Sequence, residues 1–297
     1  MTVRRAAALA LLLVVAARPM DAQILSTREA MALPSRPADH RIAWGAGTEQ
    51  FGDLRLPAGP GPHPVVVLVH GGCWLSAYGL DYMGAMADAL AGAGIASWSI
   101  EFRRVGSPGG GWPGTMQDVG AAIDHLRALS ASHPLDLDRV ALSGHSAGGH
   151  LVLWAAARRK QPASSPLHTA DPLPVRGVVA LAPIADLAAS VTAERPLCNG
   201  SAAQLLGGTP AEVADRYALA SPAEMLPLGV PYVIVNGAED PIVPAAHVTA
   251  FAERARKAGD RVRLEIVPAS GHFEPVAPGR AAFAVTLAAI VEMISLP

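Results

Sequence analysis

Cysteine is almost missing from this chain: Cys73 and Cys198 are the two among 297 residues. They form no CxxC pair and sit in no His/Cys cluster, so no metal site is expected. An excess of one charge is missing too. Lys and Arg total 23 against 25 Asp and Glu, a net charge of −2. With no polybasic run, nothing points to a nucleic-acid partner or to an electrostatically held membrane surface. Aromatic residues make up 5% of the chain, so a Trp or Phe beside a motif is as readily core as pocket wall. No internal repeat and no dividing linker is visible.

What is present is an ordinary globular composition, 51% apolar and 16% charged. A chain of this length buries a large core without staples or metals. The first 22 residues read as a signal peptide. Arg4 and Arg5 form a basic start, Ala6 to Ala17 an uncharged apolar stretch, and Arg18 to Ala22 a cleavage region ending in a small residue. The apolar stretch is shorter than the roughly 20 residues that span a bilayer. Cleavage after Ala22 would leave a secreted or periplasmic protein with no stable membrane insertion; the alternative is an uncleaved apolar helix. Residues 23–39 read as a poorly ordered lead-in. The oligomeric state is not readable.

From residue 40 onward, strand-like and helix-like segments alternate. Arg41 to Trp44 and Phe51 to Leu56 suggest a leading hairpin. Val65 to Val69 is a continuous β-branched run, the mark of a strand buried on both faces. Strands are expected again at Ile95 to Ile100, Val140 to Ser143, Gly177 to Leu181, Tyr232 to Val235 and Val262 to Val267. Helices are expected at Asp81 to Ala91, Thr115 to Ser130, Ala147 to Arg158, His247 to Lys257 and Ala281 to Ile294. This alternation predicts one α/β domain over 40–297, a mostly parallel sheet with helices on both faces. One interval, about 184–229, lacks a strand and is rich in Pro and Gly. It is expected to be a small cap on the edge where such sheets bind ligands.

Gly144-His145-Ser146-Ala147-Gly148 matches G-x-S-x-G. That pattern places a serine on a strained strand-to-helix turn, with small neighbours so that backbones can approach. A serine hydroxyl needs a base, and the base needs an orienting acid. Asp240 follows the Tyr232 strand and His272 follows the Val262 strand, so both belong at carboxyl ends, in the required chain order. Glu239 is a rival acid. His145 flanks the nucleophile but points elsewhere along the turn. The transition-state oxyanion needs fixed N–H donors. His70-Gly71-Gly72-Cys73-Trp74 follows the Val65 strand, and donors are expected from Gly72, Cys73 and Ala147, the last at a helix N-terminus.

These segments, with Glu101-Phe102-Arg103-Arg104, resemble the α/β-hydrolase superfamily. The chain is similar to its esterase branch with an HGG oxyanion loop, which includes hormone-sensitive-lipase-like, kynurenine-formamidase-like and feruloyl-esterase-like enzymes. The resemblance runs from about Val65 to Phe273. It implies an eight-stranded sheet, an acyl-serine intermediate, hydrolysis of a small-molecule ester or amide, and no cofactor. One departure is that the loop reads HGGCW rather than HGGG, which puts the less flexible Cys73 at the third donor position. Glu101 reads as structural, paired with an Arg. Cys73 and Cys198 should both lie on the sheet's top face, so a disulfide pinning cap to site is expected, with two buried thiols the alternative. Trp74, Trp112 and Phe273 are candidates for a pocket wall or for core. A carboxylesterase is the leading reading. An amidase or peptidase of the same fold is the first alternative, and a catalytically silent binding protein the second.

Overall fold

The computed structural model describes residues 23–296; the expected signal peptide lies outside the described residues. Eight strands form one sheet: β1 (His40–Ala43), β2 (Phe51–Arg55), β3 (His63–Val69), β4 (Ala96–Ile100), β5 (Leu135–His145), β6 (Gly177–Leu181), β7 (Tyr232–Gly237) and β8 (Val262–Val267). The order is β1-β2-β4-β3-β5-β6-β7-β8. β1 and β2 pair antiparallel, as does β2 with β4, and every later pairing is parallel. The expected α/β fold is therefore present, with the leading hairpin as its antiparallel edge.

The helices are α1 (Thr27–Met31), α2 (Gly84–Gly92), α3 (Gly114–Asp124), α4 (Leu126–Ser130), α5 (Ala147–Ala157), α6 (Leu187–Thr192), α7 (Ser201–Leu206), α8 (Ala214–Ala220), α9 (Ala245–Lys257) and α10 (Ala281–Ile294). The pleat sends alternate residues to opposite faces. Val65, Val67 and Val69 of β3 enter the core shared with α3, α4, α5 and α9. Val66 and Leu68 enter the core shared with α2 and α10. Burying β3 on both sides explains its unbroken apolar run.

Two expectations change. The single helix read over Thr115 to Ser130 is two, parted at His125. The break coincides with Trp98 Nε1–H donating to the carbonyl of Ala122, at 3.0 Å. The lead-in is also more structured than its composition suggests. Ser26 caps α1 and Glu29 answers back to the Ser26 N–H, a reciprocal capping box. Ala30 is fully buried. Further on, the Arg36 N–H donates to Asp88 and the Leu56 N–H to Asp39, tying residues 23–39 to the main body. A five-residue helix shows no periodicity in sequence; its one signal was the Ser26-x-x-Glu29 spacing.

Candidate active site

β5 ends at His145 and α5 begins at Ala147, so Ser146 alone makes the turn between them. Its φ of 57° and ψ of −119° are strained for a residue with a Cβ. The surroundings enforce the strain. A Cβ on Gly144 would lie 2.2 Å from the Gly148 carbonyl oxygen. A Cβ on Gly148 would lie 2.1 Å from the carbonyl oxygen of Val69. Both contacts are with backbone, which cannot yield, so both positions require glycine. The Ser146 N–H donates to Leu181 O on β6, at 2.8 Å, and locks the turn to the sheet.

Asp240 lies in the loop after β7, and its two carboxylate oxygens divide their work. Oδ1 accepts the N–H groups of Ile242 and Val243, each at 2.8 Å. Oδ2 is 2.7 Å from Nδ1 of His272 in the loop after β8. An ionised carboxylate only accepts, so Nδ1 donates and Nε2 is the basic nitrogen. Glu239, the rival acid, is exposed and takes no part. Ser146, Asp240 and His272 are all buried, and Ser146 and His272 line one cavity. Ser146 and His272 make no hydrogen bond to each other. Such bonds often tighten only when substrate arrives.

The loop after β3 lies directly on Ser146. A Cβ on Gly71 would fall 2.9 Å from the Cβ of Ser146. His70 faces acceptors at both ring nitrogens, Gly71 O at 2.7 Å and Glu101 Oε1 at 2.9 Å. The Gly71 carbonyl and the Gly72 N–H belong to one peptide plane, so holding the carbonyl orients the N–H. The N–H groups of Gly72, Cys73 and Ala147 donate to no acceptor among the described residues, which leaves them for a ligand. Cys73 and Trp74 take φ of 54° and 58°, the left-handed region that a glycine would enter freely. A disulfide joins Cys73 to Cys198, in the segment between α6 and α7, with Cα atoms 5.6 Å apart. Glu101 is structural: it holds His70, Arg104 and the Phe102 N–H. Burial pushes its carboxyl up, but the His70 bond and the charges of His70 and Arg104 outweigh this and hold it below the usual range.

A family model described as BD-FAE matches residues 53–254, more than half of the chain. The chain belongs to the BD-FAE family. Two relatives from Mycobacterium tuberculosis (strain ATCC 25618 / H37Rv) are similar to it. Esterase LipQ is 26% identical over 240 residues, which cover 76% of this chain and 56% of LipQ. Esterase LipC is 26% identical over 238 residues, 78% of this chain and 59% of LipC. The chain thus spans a little over half the length of these relatives. Among solved structures, a truncated carbohydrate esterase from gut microbiota superposes with a TM-score of 0.76 at 23% identity, covering 88% of this chain and 99% of that one. The Est2 esterase of Thermogutta terrifontis superposes with a TM-score of 0.69 at 22% identity, covering 87% and 92%. Both likenesses show the fold.

In this BD-FAE member the cavity over Ser146 is small, about 90 Å³. Its walls include Thr27 and Met31 from α1, Tyr78, Tyr82, Ile242 and Phe273. Met31 and Tyr78 are among the few large apolar side chains left exposed, each at 40%. Of the aromatic residues singled out from sequence, only Phe273 lines this cavity. Trp74 is core, its indole N–H donating to His150 Nδ1 at 3.1 Å, and Trp112 packs at the margin of the same core. Sequence reasoning missed the walls supplied by α1, because the lead-in carried no expectation of contact with the site. It also missed Tyr82, which no motif marks.

Proposed function

We propose that this protein is a serine carboxylesterase acting on small esters. The observation that carries the reading is the 2.7 Å pairing of Asp240 with His272 beside a serine on a strained turn. His272 Nε2 takes the Ser146 proton as Oγ attacks the acyl carbonyl. The oxyanion forms where the N–H groups of Gly72, Cys73 and Ala147 have no other acceptor. Collapse expels the alcohol, which receives the proton from His272. Water then attacks the acyl-serine with His272 again as base, and His272 returns that proton to Ser146 Oγ as the acyl–oxygen bond breaks and the acid leaves. The names of LipQ and LipC support ester over amide.

A fluorophosphonate probe tests the reading: wild type is expected to label, and Ser146→Ala is not. An unlabelled wild type, or equal labelling of the variant, overturns it. A panel of p-nitrophenyl esters beside arylamides tests the substrate. Ligand pockets usually exceed about 300 Å³, so the 90 Å³ cavity favours acetyl to butyryl chains over octanoyl. We also propose export from the cytoplasm. The Arg4-Arg5 start, the apolar stretch to Ala17 and the Cys73–Cys198 disulfide support it. N-terminal sequencing of protein recovered outside the cytoplasm is expected to begin at Gln23.

A further inference from the structure

Three loops meet at the site, and one chain of hydrogen bonds joins them. The Gly71 N–H of the oxyanion loop donates to the Tyr82 oxygen at 2.6 Å. The Tyr82 hydroxyl lies 2.8 Å from Nδ1 of His145, in the nucleophile turn. Nε2 of His145 lies 2.9 Å from the carbonyl oxygen of His272. All of these side chains are buried. The directions are forced. A carbonyl only accepts, so Nε2 of His145 carries a proton; a second proton on Nδ1 would leave the buried Tyr82 hydroxyl without an acceptor, so Nδ1 accepts. The Tyr82 hydroxyl therefore donates to Nδ1, and its lone pair receives the Gly71 N–H.

We propose that Tyr82 and His145 are positioning residues that hold the oxyanion loop, Ser146 and His272 in mutual register. The proposal rests on the serine-hydrolase reading above. Without the relay, Gly71 keeps only its carbonyl bond to His70, and His272 keeps only its ring bond to Asp240. The backbone of each then drifts while the chemical groups survive. Burial, and the nearby His272, push the His145 imidazole well below its ordinary range, in keeping with the neutral ring the geometry demands. Tyr82 touches no reacting atom in this scheme; its effect passes through the loops.

Tyr82→Phe keeps the ring and removes the relay. It is expected to lower kcat by about 10- to 100-fold, since misplacement by about 1 Å costs about that much, with KM changed less than about threefold. His145→Leu is expected to do the same. His145→Gln retains a donor and an acceptor on one planar group and is expected to recover most of kcat. Tyr82→Phe/His145→Leu should fall no further than either single variant, because both break one chain. Near-ultraviolet circular dichroism checks that each variant is folded. Folded Tyr82→Phe and His145→Leu with wild-type kcat overturn the relay, as do multiplicative losses in the double variant or a His145→Gln as poor as His145→Leu. An inert wild type that takes no fluorophosphonate overturns the hydrolase reading and the relay with it.

Discussion

At the scale of single residues, the site depends on how lone pairs are shared out. Asp240 spends Oδ1 on two backbone N–H groups and so offers Oδ2 alone to His272. Asp240→Asn leaves the shape intact but cannot serve both sides. An amide oxygen placed toward Ile242 and Val243 turns the NH₂ group toward His272, which then presents the wrong tautomer. kcat on p-nitrophenyl acetate is expected to fall by about 10⁴-fold, the loss for this defect in such a triad, with KM little changed. Wild-type turnover in the variant overturns the assignment of Asp240. Sequence alone could name Asp240 and His272 from their order after two strands. Adjacency left Glu239 as a rival, and only the turn that buries Asp240 and exposes Glu239 separates them. Tyr82 was illegible for another reason: its partners lie 11 and 63 positions away, and no local pattern records them.

At the scale of elements, two short pieces shape the site. The third position of the oxyanion loop is Cys73, whose left-handed conformation costs of order 1 kcal/mol or more for a non-glycine residue. The bond to Cys198 holds it there and ties the segment before α7 to the loop. Reducing the wild type, or replacing Cys198 with Ser, is expected to cost about 2–5 kcal/mol of stability. It should also lower kcat, because the Cys73 N–H loses its anchor. Urea melts and initial rates with and without reductant check both effects; unchanged kcat after full reduction overturns the anchoring role. α1 is the second piece. Its five residues were invisible to periodicity, yet Thr27 and Met31 wall the cavity. The strands of the sheet, by contrast, were legible, because burial on both faces writes runs such as Val65 to Val69 directly into the sequence.

At the scale of the whole molecule, the fold holds the imidazoles of His145, His150 and His247 below their ordinary range, and this links its stability to pH. His150 lies between the indole N–H of Trp74 and the carbonyl of Ala220. Burial pushes it down to about 4 from an ordinary value near 6.5. Burial also pushes His247 down, and it acts first on His145, ahead of the charge of His272. The folded value lies below the unfolded one, so between the two the unfolded chain binds protons that the folded chain refuses. The stability these residues confer is complete above about pH 6.5 and is lost as pH falls through the window that ends, for His150, near 4. Each such group removes up to about 1.4 kcal/mol per pH unit inside its window, so His150 alone accounts for about 3 kcal/mol. The urea midpoint is therefore expected to drop between pH 7.5 and 5, with net proton uptake on unfolding. His150→Gln supplies the same acceptor and donor without a titrating proton, and it should flatten the slope by the share of one group. A midpoint that holds steady or rises on acidification would mean these rings are already charged in the fold, and the neutral His145 on which the loop register depends would fall with it.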